Sequence, residues 1–298
     1  MKTHIGCIPC FFRQAIEAAD LAGADLKTQK NIVNKLCREL PKFSYDLCPS
    51  YMGRILYKIV IDQTKVKDPF HELKQKSNRL ALKLYPKLKR KVKASKNRFF
   101  TALELAIAGN IIDFGVRNSH KVENELNIFF KGKFNLRRRH KSSIFDYVHF
   151  KKDIKRADSV LYIGDNAGEI VFDRVLIEEI QDAWPGKDIT YVVREKPIIN
   201  DILMEDAKVC GMHNIVRVIS SGSDAPGVIL KQANPDFLKL YKNCDIIISK
   251  GQGNFETLSS SPRPVYFLFR AKCPVVAEYL GCEEGDIILK NSQKHHEY

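Results

Sequence analysis

Two patterns of apolar residues divide the chain near residue 155. Before that point, apolar side chains recur three and four residues apart, which is the spacing of one face of a helix. Runs of this kind are Phe12–Ala19, Ile32–Leu40, Phe70–Leu84 and Phe99–Ile107. They predict a mainly α-helical domain over residues 1–155.

After residue 155 the pattern changes to short apolar runs that are rich in valine and isoleucine. Runs that are apolar on successive positions are typical of parallel strands buried on both faces. The segments Phe172–Ala183 and Ile198–Cys210 fit helices between the strands. This alternation predicts a second domain over residues 156–298, a three-layer α/β/α Rossmann-like domain with a mostly parallel sheet. The strands are expected at Val160–Ile163, Ile189–Val193, Ile215–Ile219, Ile246–Ile248, Val265–Phe269 and Ile287–Leu289.

Four of the predicted strands are followed by loops that carry several polar residues each. A single polar residue after a strand is usually a helix cap, but capping does not need four or five of them. The carboxyl ends of parallel strands lie at one edge of the sheet, where ligands bind in such folds. The four loops read GDNAGE from Gly164, REKPIIND from Arg194, SSGSD from Ser220 and SKGQGNFE from Ser249.

Three oxygen-bearing side chains in these loops predict a divalent metal site. Asp165 and Asn166 follow the first strand, and Asp201 follows the second. Hard cations such as Mg²⁺ and Mn²⁺ prefer carboxylate and carbonyl oxygens, and they keep positions for water and phosphate. We therefore expect the three side chains to meet on one cation.

A phosphate site is predicted beside the metal. Lys250 and the backbone amides around Gly251 and Gly253 are expected to hold the phosphate at a helix N-terminus. Ser220 and Ser221 supply further donors. A metal together with an anion-binding loop points to phosphate chemistry.

Motifs for other cofactors are incomplete. GQGNFE from Gly251 resembles the dinucleotide fingerprint, but Glu256 replaces its third glycine, and an acid there would repel a pyrophosphate. The sequence has neither a Walker A loop nor a Gly-x-Ser-x-Gly elbow. A carboxyl methyltransferase that uses S-adenosylmethionine stays as an alternative, although the glycine-rich loop of such enzymes is only partly present at Gly164–Gly168.

The three motifs GDNAGE, REKPIIND and SKGQGNFE, in this order, resemble those of the metal-dependent damage-control phosphatases, formerly domain-of-unknown-function family 89. The segment Ala106–Asp113 resembles the family's Gly-Asn-x-x-Asp helix, and Cys7-Ile8-Pro9-Cys10 is similar to the Cys-x-x-Cys of its archaeal and bacterial branch. The resemblance covers nearly the whole chain. It implies a helical domain packed on a Rossmann-like domain, and a phosphatase that uses Mn, Mg, Co or Ni on small phosphorylated metabolites such as sugar phosphates or damaged phosphometabolites.

The resemblance also implies roles for individual residues. Asp165, Asn166 and Asp201 would bind the metal, and Lys250 would hold the phosphate. Apart from the resemblance, our mechanistic hypothesis is that the attacking group is either metal-bound water or an aspartate, of which Asp165 is the candidate. Glu169, Arg194, Asn200, Gly253, Asn254 and Glu256 would line the substrate site, with Asn110 and Asp113 reaching in from the helical domain.

The N-terminal thiols leave three alternatives open. Cys7 and Cys10 lie at the start of a predicted helix, which could lower their pKa as in dithiol redox sites. With His4 and Cys48 they could instead form a second, structural metal site. They could also be inert thiols packed under the helix.

Charge is concentrated in the helical domain. Lysine and arginine total 49 against 35 aspartate and glutamate, and residues 1–150 hold 30 of the basic and 13 of the acidic residues. The basic runs Lys83–Arg98 and Lys131–Lys141 raise the alternative of a nucleic-acid-binding module. Aromatic residues for base stacking are sparse there, which favours solvated helix faces. The charge would also steer phosphorylated substrates toward the cleft.

Composition is that of a folded globular protein, with 44% hydrophobic and 28% charged residues. No stretch approaches the ~18 consecutive apolar residues of a membrane span, so no membrane partner is expected. Met1–Phe12 lacks the apolar core of a signal peptide, and the eight cysteines are not spaced as a disulfide framework. We therefore expect a cytoplasmic protein, while the oligomeric state is not predicted.

Overall fold

A six-stranded sheet forms the centre of the fold in the computed structural model, which describes residues 1–109 and 144–293. The strands are β1 (Ser159–Ile163), β2 (Asp188–Val193), β3 (Arg217–Ser220), β4 (Ile246–Lys250), β5 (Tyr266–Arg270) and β6 (Ile287–Asn291). They lie side by side in the order β3-β2-β1-β4-β5-β6. The first five run parallel, and β6 runs antiparallel to β5. The predicted, mostly parallel sheet is confirmed.

Helices make up the N-terminal region and cover both faces of the sheet. No helix of the described ranges has the length and apolar character needed to cross a membrane. Short 3-10 turns lie at Ile5–Cys7, Leu40–Lys42, Met212–Asn214 and Leu230–Gln232. The α-helices are α1 (Ile8–Leu21), α2 (Leu26–Glu39), α3 (Pro49–Thr64), α4 (His71–Lys93), α5 (Arg98–Ala108), α6 (Tyr147–Arg156), α7 (Glu169–Ala183), α8 (Met204–Val209), α9 (Pro235–Asn243), α10 (Gln252–Leu258) and α11 (Pro274–Leu280).

Alternation along each strand sorts the apolar side chains into two layers. On β1, Val160 and Tyr162 pack with α4, α5, α6 and α7, in a cluster that we call the α7-side core. Leu161 and Ile163 point to the opposite face and pack with α9, α10 and α11, in the α9-side core. Both faces of the sheet are therefore buried, as expected of strands that are apolar on successive residues.

The N-terminal helices α1, α2 and α3 form a third cluster, the N-terminal core, which includes Phe11, Ile32 and Leu56. In contrast, α4, α5 and α6 contribute to the α7-side core together with the strands. The first part of the chain is thus helical as predicted, but its later helices share their packing with the sheet. The boundary near residue 155 stays a prediction.

The segment Ile198–Cys210 is not one helix, and that expectation was wrong. Only α8 is helical, and the residues before it form a loop in which Asp201 pairs with Asn166 through an isolated antiparallel bridge. Ile198 is buried in the N-terminal core, whereas Ile202 is buried in the α7-side core. The apolar run therefore reflects burial on two sides of a loop and not one face of a helix.

A substitution at Phe150 on α6 tests how much the packing of helices on the sheet contributes to the free energy of unfolding. Its ring is fully buried and lies 6.0 Å from the ring of Phe99 on α5 and 5.0 Å from that of Tyr266 on β5, between ring centroids. Phe150→Ala should lower the free energy of unfolding by about 3–5 kcal/mol, because a buried ring is lost and a cavity remains. Val148→Ala on the same helix, where the side chain is exposed, should change it by less than about 0.5 kcal/mol. Urea unfolding measures both, and similar losses for the two variants would contradict the prediction.

Candidate functional site

The candidate site lies at the carboxyl ends of β1 and β4, where the strand order reverses direction. Successive strands extend from β1 toward β2 on one side and from β4 toward β5 on the other, and ligands of open parallel sheets bind at such a point. The two loops approach each other closely, because a Cβ atom at Gly251 would overlap the Asp165 carboxylate. Gly251 also has a φ of +82°, which favours glycine.

The three predicted metal ligands lie together. The backbone of Asn166 pairs with that of Asp201, and the Ile202 N–H donates to the Asp165 carbonyl at 2.9 Å. A second backbone bond runs from the Ala167 N–H to the Asn200 carbonyl, also at 2.9 Å. The Asn166 amide nitrogen donates to Asp165 Oδ2 at 2.7 Å. Two loops that are distant in sequence are thus joined through their backbones.

Asp165, Asn166 and Asp201, which we call the rim, bring two buried carboxylates together. Burial raises the pKa of Asp165 well above its usual value, and repulsion from Asp201 and Glu169 adds to the shift. Within residues 1–109 and 144–293, no three His, Cys, Asp or Glu side chains are grouped so that they could hold a metal ion by themselves. A metal at this rim would therefore need the Asn166 amide oxygen beside the two aspartates. Those donors are oxygens, which suit a hard divalent cation.

Arg194 is the buried cation between the two aspartates. Its Nε donates to Asp201 Oδ2 at 2.8 Å, and its Nη2 donates to Asn254 Oδ1 at 3.1 Å and lies 3.8 Å from Asp165 Oδ1. Its Nη1 is buried and makes no hydrogen bond to any part of the chain that the structure describes. A buried donor in a native protein is normally satisfied, so Nη1 has the capacity to donate to a ligand or to ordered water.

Asn254 connects the ends of two strands and does not present its amide to the rim. Its Nδ2 donates to the carbonyls of Gly164 at 3.1 Å and Lys250 at 2.7 Å, and its Oδ1 accepts from the Val228 N–H at 3.0 Å as well as from Arg194. Its hydrogen bonds orient Arg194 in the crevice between β1 and β4.

Lys250 does not offer a donor to a phosphate in this structure. Its ammonium group donates to Glu169 Oε1 at 2.6 Å, to Asp173 Oδ1 at 2.6 Å and to the Ala106 carbonyl at 2.8 Å, which uses all three N–H bonds. The side chain is fully buried. Burial alone would lower the pKa of Lys250, but the charges of Asp173 and Glu169 raise it above its usual value. The geometry fits a buried ion network better than the predicted phosphate contact.

Glu169 links this ion network to the rim, because its other oxygen accepts from the Asn166 amide at 3.1 Å. Asp173, one helical turn further along α7, was missed by the sequence analysis. It accepts from the Tyr162 hydroxyl at 2.7 Å and the Tyr191 hydroxyl at 2.8 Å. Burial raises the pKa of Asp173 to about 6, although the Lys250 charge opposes that shift. The available signal was an acid one helical turn after Glu169, on a helix whose residues 170–172 and 175–177 are apolar.

Lys272 is a second residue that the sequence analysis missed. It lies close enough to Asp165 for its charge to lower the pKa of that carboxyl group. Lys272 follows β5. Polar residues after the carboxyl ends of β1 to β4 were predicted to form the site, and the same expectation for the loop after β5 would have included Lys272. Arg194 is another cation whose charge lowers the pKa of Asp165.

Other predicted substrate residues make local contacts. The Ser220 hydroxyl donates to the Glu195 carboxylate, and the Ser221 hydroxyl accepts from the Ser223 N–H at 3.2 Å. Gly253 is packed against the backbone of Gly227. Asn110, Asp113 and the basic run Lys131–Lys141 lie outside the described residues.

The N-terminal thiols do not show the features that either functional alternative expects. Burial raises the pKa of Cys7 and of Cys10, the opposite of the shift of a reactive dithiol. His4 Nδ1 accepts from the Gly6 N–H at 3.0 Å and so caps the first turn. Glu256 lies near this corner, since its charge raises the pKa of both thiols, and its Oε1 accepts from Gln252 at 3.0 Å.

Ile199 stores backbone strain directly before the rim residues. Its φ is +45°, and a branched side chain in this region costs on the order of 1–3 kcal/mol. Ile199→Gly should therefore change the free energy of unfolding by no more than about 1 kcal/mol, since relief of strain offsets lost packing. Ile198→Gly, with ordinary backbone and a buried side chain, should cost about 4 kcal/mol. Chemical denaturation measures the free energy of unfolding of both variants. A larger loss in Ile199→Gly than in Ile198→Gly would refute the strain at Ile199.

Lys250→Met tests the buried ion network. Removal of the cation leaves the carboxylates of Glu169 and Asp173 buried without compensation, so the free energy of unfolding should fall by about 3–5 kcal/mol at pH 8. In the folded variant Asp173 keeps a pKa above that of the unfolded chain, so the stability that its protonated form contributes is full at low pH and is lost as pH rises through the folded pKa. The loss should therefore shrink toward pH 5, below the value of about 6 for Asp173.

Urea unfolding at pH 5 and pH 8 measures this dependence. Lys58→Met is the matched control, because Lys58 is exposed and pairs with Asp62 on the surface of α3. The control should change little at either pH. A Lys250→Met loss that is independent of pH would contradict the proposed origin of the effect.

Residues 3–288 match the family model described as the damage-control phosphatase ARMT1-like domain. An uncharacterized protein of Methanocaldococcus jannaschii is 35% identical over 97% of this chain and 95% of its own length. A damage-control phosphatase of Pyrococcus horikoshii is 34% identical over 98% of this chain and 99% of its own. The crystal structure of a domain-of-unknown-function 89 family protein from Pyrococcus horikoshii superposes with a TM-score of 0.85 and 32% identity, covering 98% of this chain and 100% of that one. The chain belongs to the ARMT1-like damage-control phosphatase family.

Proposed function

We propose that the protein is a divalent-metal-dependent phosphatase that hydrolyses small phosphorylated metabolites. The observation that carries the proposal is the pairing, at one edge of the sheet, of an acidic rim with a buried Arg194 whose Nη1 lacks a partner among the described residues. An acidic rim suits a cation, and a buried guanidinium donor suits a phosphoryl oxygen. The names of the relatives support the same reaction class.

Asp165, Asn166 and Asp201 are the proposed metal ligands. The pKa of Asp165 is raised by burial and by Asp201, so the rim without a cation holds unfavourable negative charge. The Asn166 amide nitrogen is turned toward two carboxylates, which leaves its carbonyl oxygen as the ligand atom. When bound, the metal would supply positive charge to the phosphoryl group of the substrate.

Arg194 and Lys272 are the proposed phosphate-binding cations, in place of Lys250. Arg194 is held by Asp201 and Asn254, so its guanidinium is oriented before the substrate binds. A donor that is fixed in advance costs no reorganisation when charge develops on the transferred group. Lys272 adds a second positive charge beside Asp165.

Lys250 acts in this proposal as a positioning residue. It fixes Glu169, and Glu169 in turn holds the Asn166 amide at 3.1 Å. The chain of contacts therefore runs from a fully buried ammonium to a proposed metal ligand. Outer contacts of this kind orient the ligand and exclude other rotamers.

The alternative functions have less support. In the basic run Lys83–Arg98, Lys89 pairs with Glu178 at 2.7 Å and Arg98 pairs with Glu179 at 2.7 Å, so part of this charge stabilises the packing of α4 and α5 on α7. The relatives with functional names are phosphatases, not methyltransferases or nucleic-acid-binding proteins. A second function is not proposed.

A panel of phosphorylated metabolites assayed with Mg²⁺, Mn²⁺, Co²⁺ and Ni²⁺ tests the reaction class and the metal together. Phosphate release should require a metal and should stop in the presence of a chelator. Asp165→Asn and Asp201→Asn should each lower kcat/KM by at least about 100-fold, because even outer contacts of metal ligands contribute 10- to 100-fold.

Asp188→Asn is the matched control, since it makes the same change at an exposed position at the start of β2. Its kcat/KM should equal that of the unchanged protein. Circular dichroism checks that all three variants are folded. Full activity in chelator, or an unchanged kcat/KM in folded Asp201→Asn, would remove the metal or Asp201 from the proposal.

A further inference from the structure

Asn78 on α4 is a buried polar residue that the proposed chemistry does not use. It is 3% exposed and lies on the buried face of α4 with Ser77 and Ala81. Its Oδ1 accepts from the Gly168 N–H at 2.7 Å, and its Nδ2 donates to Asp206 Oδ1 at 2.7 Å. A single amide from the helical region therefore contacts both the β1 loop and α8.

Chemistry fixes the orientation of this amide. The backbone nitrogen of Gly168 can only donate, so the oxygen of Asn78 must face it. The Asp206 carboxylate accepts, so the amide nitrogen must face that side. Neither a leucine, which has no polar atoms, nor an aspartate, which has no donor when ionised, can make both contacts.

Each contact lies next to a proposed metal ligand. Gly168 is two residues after Asn166 and adopts a positive φ of 77°, so the direction of the loop changes at this position. On the other side, Asp206 Oδ2 accepts from the Leu203 N–H at 2.9 Å, and Leu203 is two residues after Asp201. Lys74, also on α4, lies 3.8 Å from Asp206 Oδ2 and provides the positive charge near that carboxylate.

We propose that Asn78 is a positioning residue that fixes the separation of the Asp165–Asn166 loop and the Asp201 loop, an inference that rests on the proposed metal site. The two loops are already joined at their backbones, and Asn78 adds a rigid reference point on a 23-residue helix. Its burial keeps it from touching a substrate. Asn78 therefore affects the arrangement of the two loops before a cation binds.

The test compares Asn78→Ala with the double variant Asn78→Asp/Asp206→Asn. In the double variant, one oxygen of residue 78 accepts from Gly168 and the other accepts from the new amide at 206, whose oxygen still accepts from Leu203. The exchange therefore restores the hydrogen bonds to Gly168 and Leu203 and the one between residues 78 and 206, with the net charge unchanged. Leu88→Ala is the control, since it removes a fully buried side chain from the same helix away from both loops.

Three quantities are measured on the full-length protein: the dissociation constant for Mn²⁺ by equilibrium dialysis, amide hydrogen exchange at Gly168 without metal, and the melting temperature. Asn78→Ala should weaken Mn²⁺ binding about 10-fold or more and speed exchange at Gly168. The double variant should recover most of both. Leu88→Ala should lower the melting temperature with Mn²⁺ affinity unchanged.

The outcomes separate this inference from the proposed function. Unchanged Mn²⁺ affinity in folded Asn78→Ala, or an equal loss in Leu88→Ala, would overturn the positioning role. If the unchanged protein binds no divalent cation, the proposed function fails. In that case the hydrogen-exchange rate of the Gly168 amide still tests the hydrogen bond between Asn78 and Gly168. An equal exchange rate in Asn78→Ala and in the unchanged protein would refute that bond.

Discussion

Buried charge at the carboxyl end of the sheet is the constraint on which the rest of the structure depends. Removing an ion from water costs several kcal/mol, so each buried acid here needs a cation or donors of good geometry. Lys250 compensates Glu169 and Asp173 below the rim, and Arg194 compensates Asp201 at the rim. In the interior one cation compensates two carboxylates, and the pKa of Asp173 is raised to about 6. At the rim the pKa of Asp165 is raised well above its usual value, at the edge of the sheet where ligands of such folds bind.

This constraint explains why the helical region packs as it does. The third donor of Lys250 goes to the carbonyl of Ala106 near the end of α5, and the amide of Asn78 on α4 completes the contacts of Gly168 and Asp206. Both helices belong to the α7-side core. The helical region thus supplies polar partners that the sheet and its own helices lack. It is part of the site's structure and not only a cover over it.

Much of the fold could be predicted from the sequence because burial on both faces leaves a strong local signal. All six strands follow apolar runs, and the loops after β1 and β2 were identified from their polar residues. The direction of the Lys250 side chain could not be predicted, because its ammonium group contacts Asp173. In the sequence Asp173 is one of several charged residues of a predicted helix, and it does not follow a strand. The loop at Ile198–Ile202 could not be predicted for a related reason. Its apolar residues contact two different cores, and no local pattern records that division.

The raised pKa of Asp165 and a site for a cation share one setting, in which burial disfavours an ionised carboxylate and nearby acids add a charge imbalance. Without a cation, protonation of Asp165 lowers the energy of the rim, because burial disfavours the ionised form and Asp201 and Glu169 repel it. A divalent cation would stabilise the ionised form, so proton and metal compete for the same oxygen atoms. Arg194 cannot resolve the imbalance alone, because its Nε is committed to Asp201 and its Nη2 lies 3.8 Å from Asp165. The same geometry leaves Nη1 available for an anion. The rim is short of positive charge at Asp165, and Arg194 has a spare donor at Nη1. This arrangement fits a cation and a phosphate bound together better than either ligand bound alone.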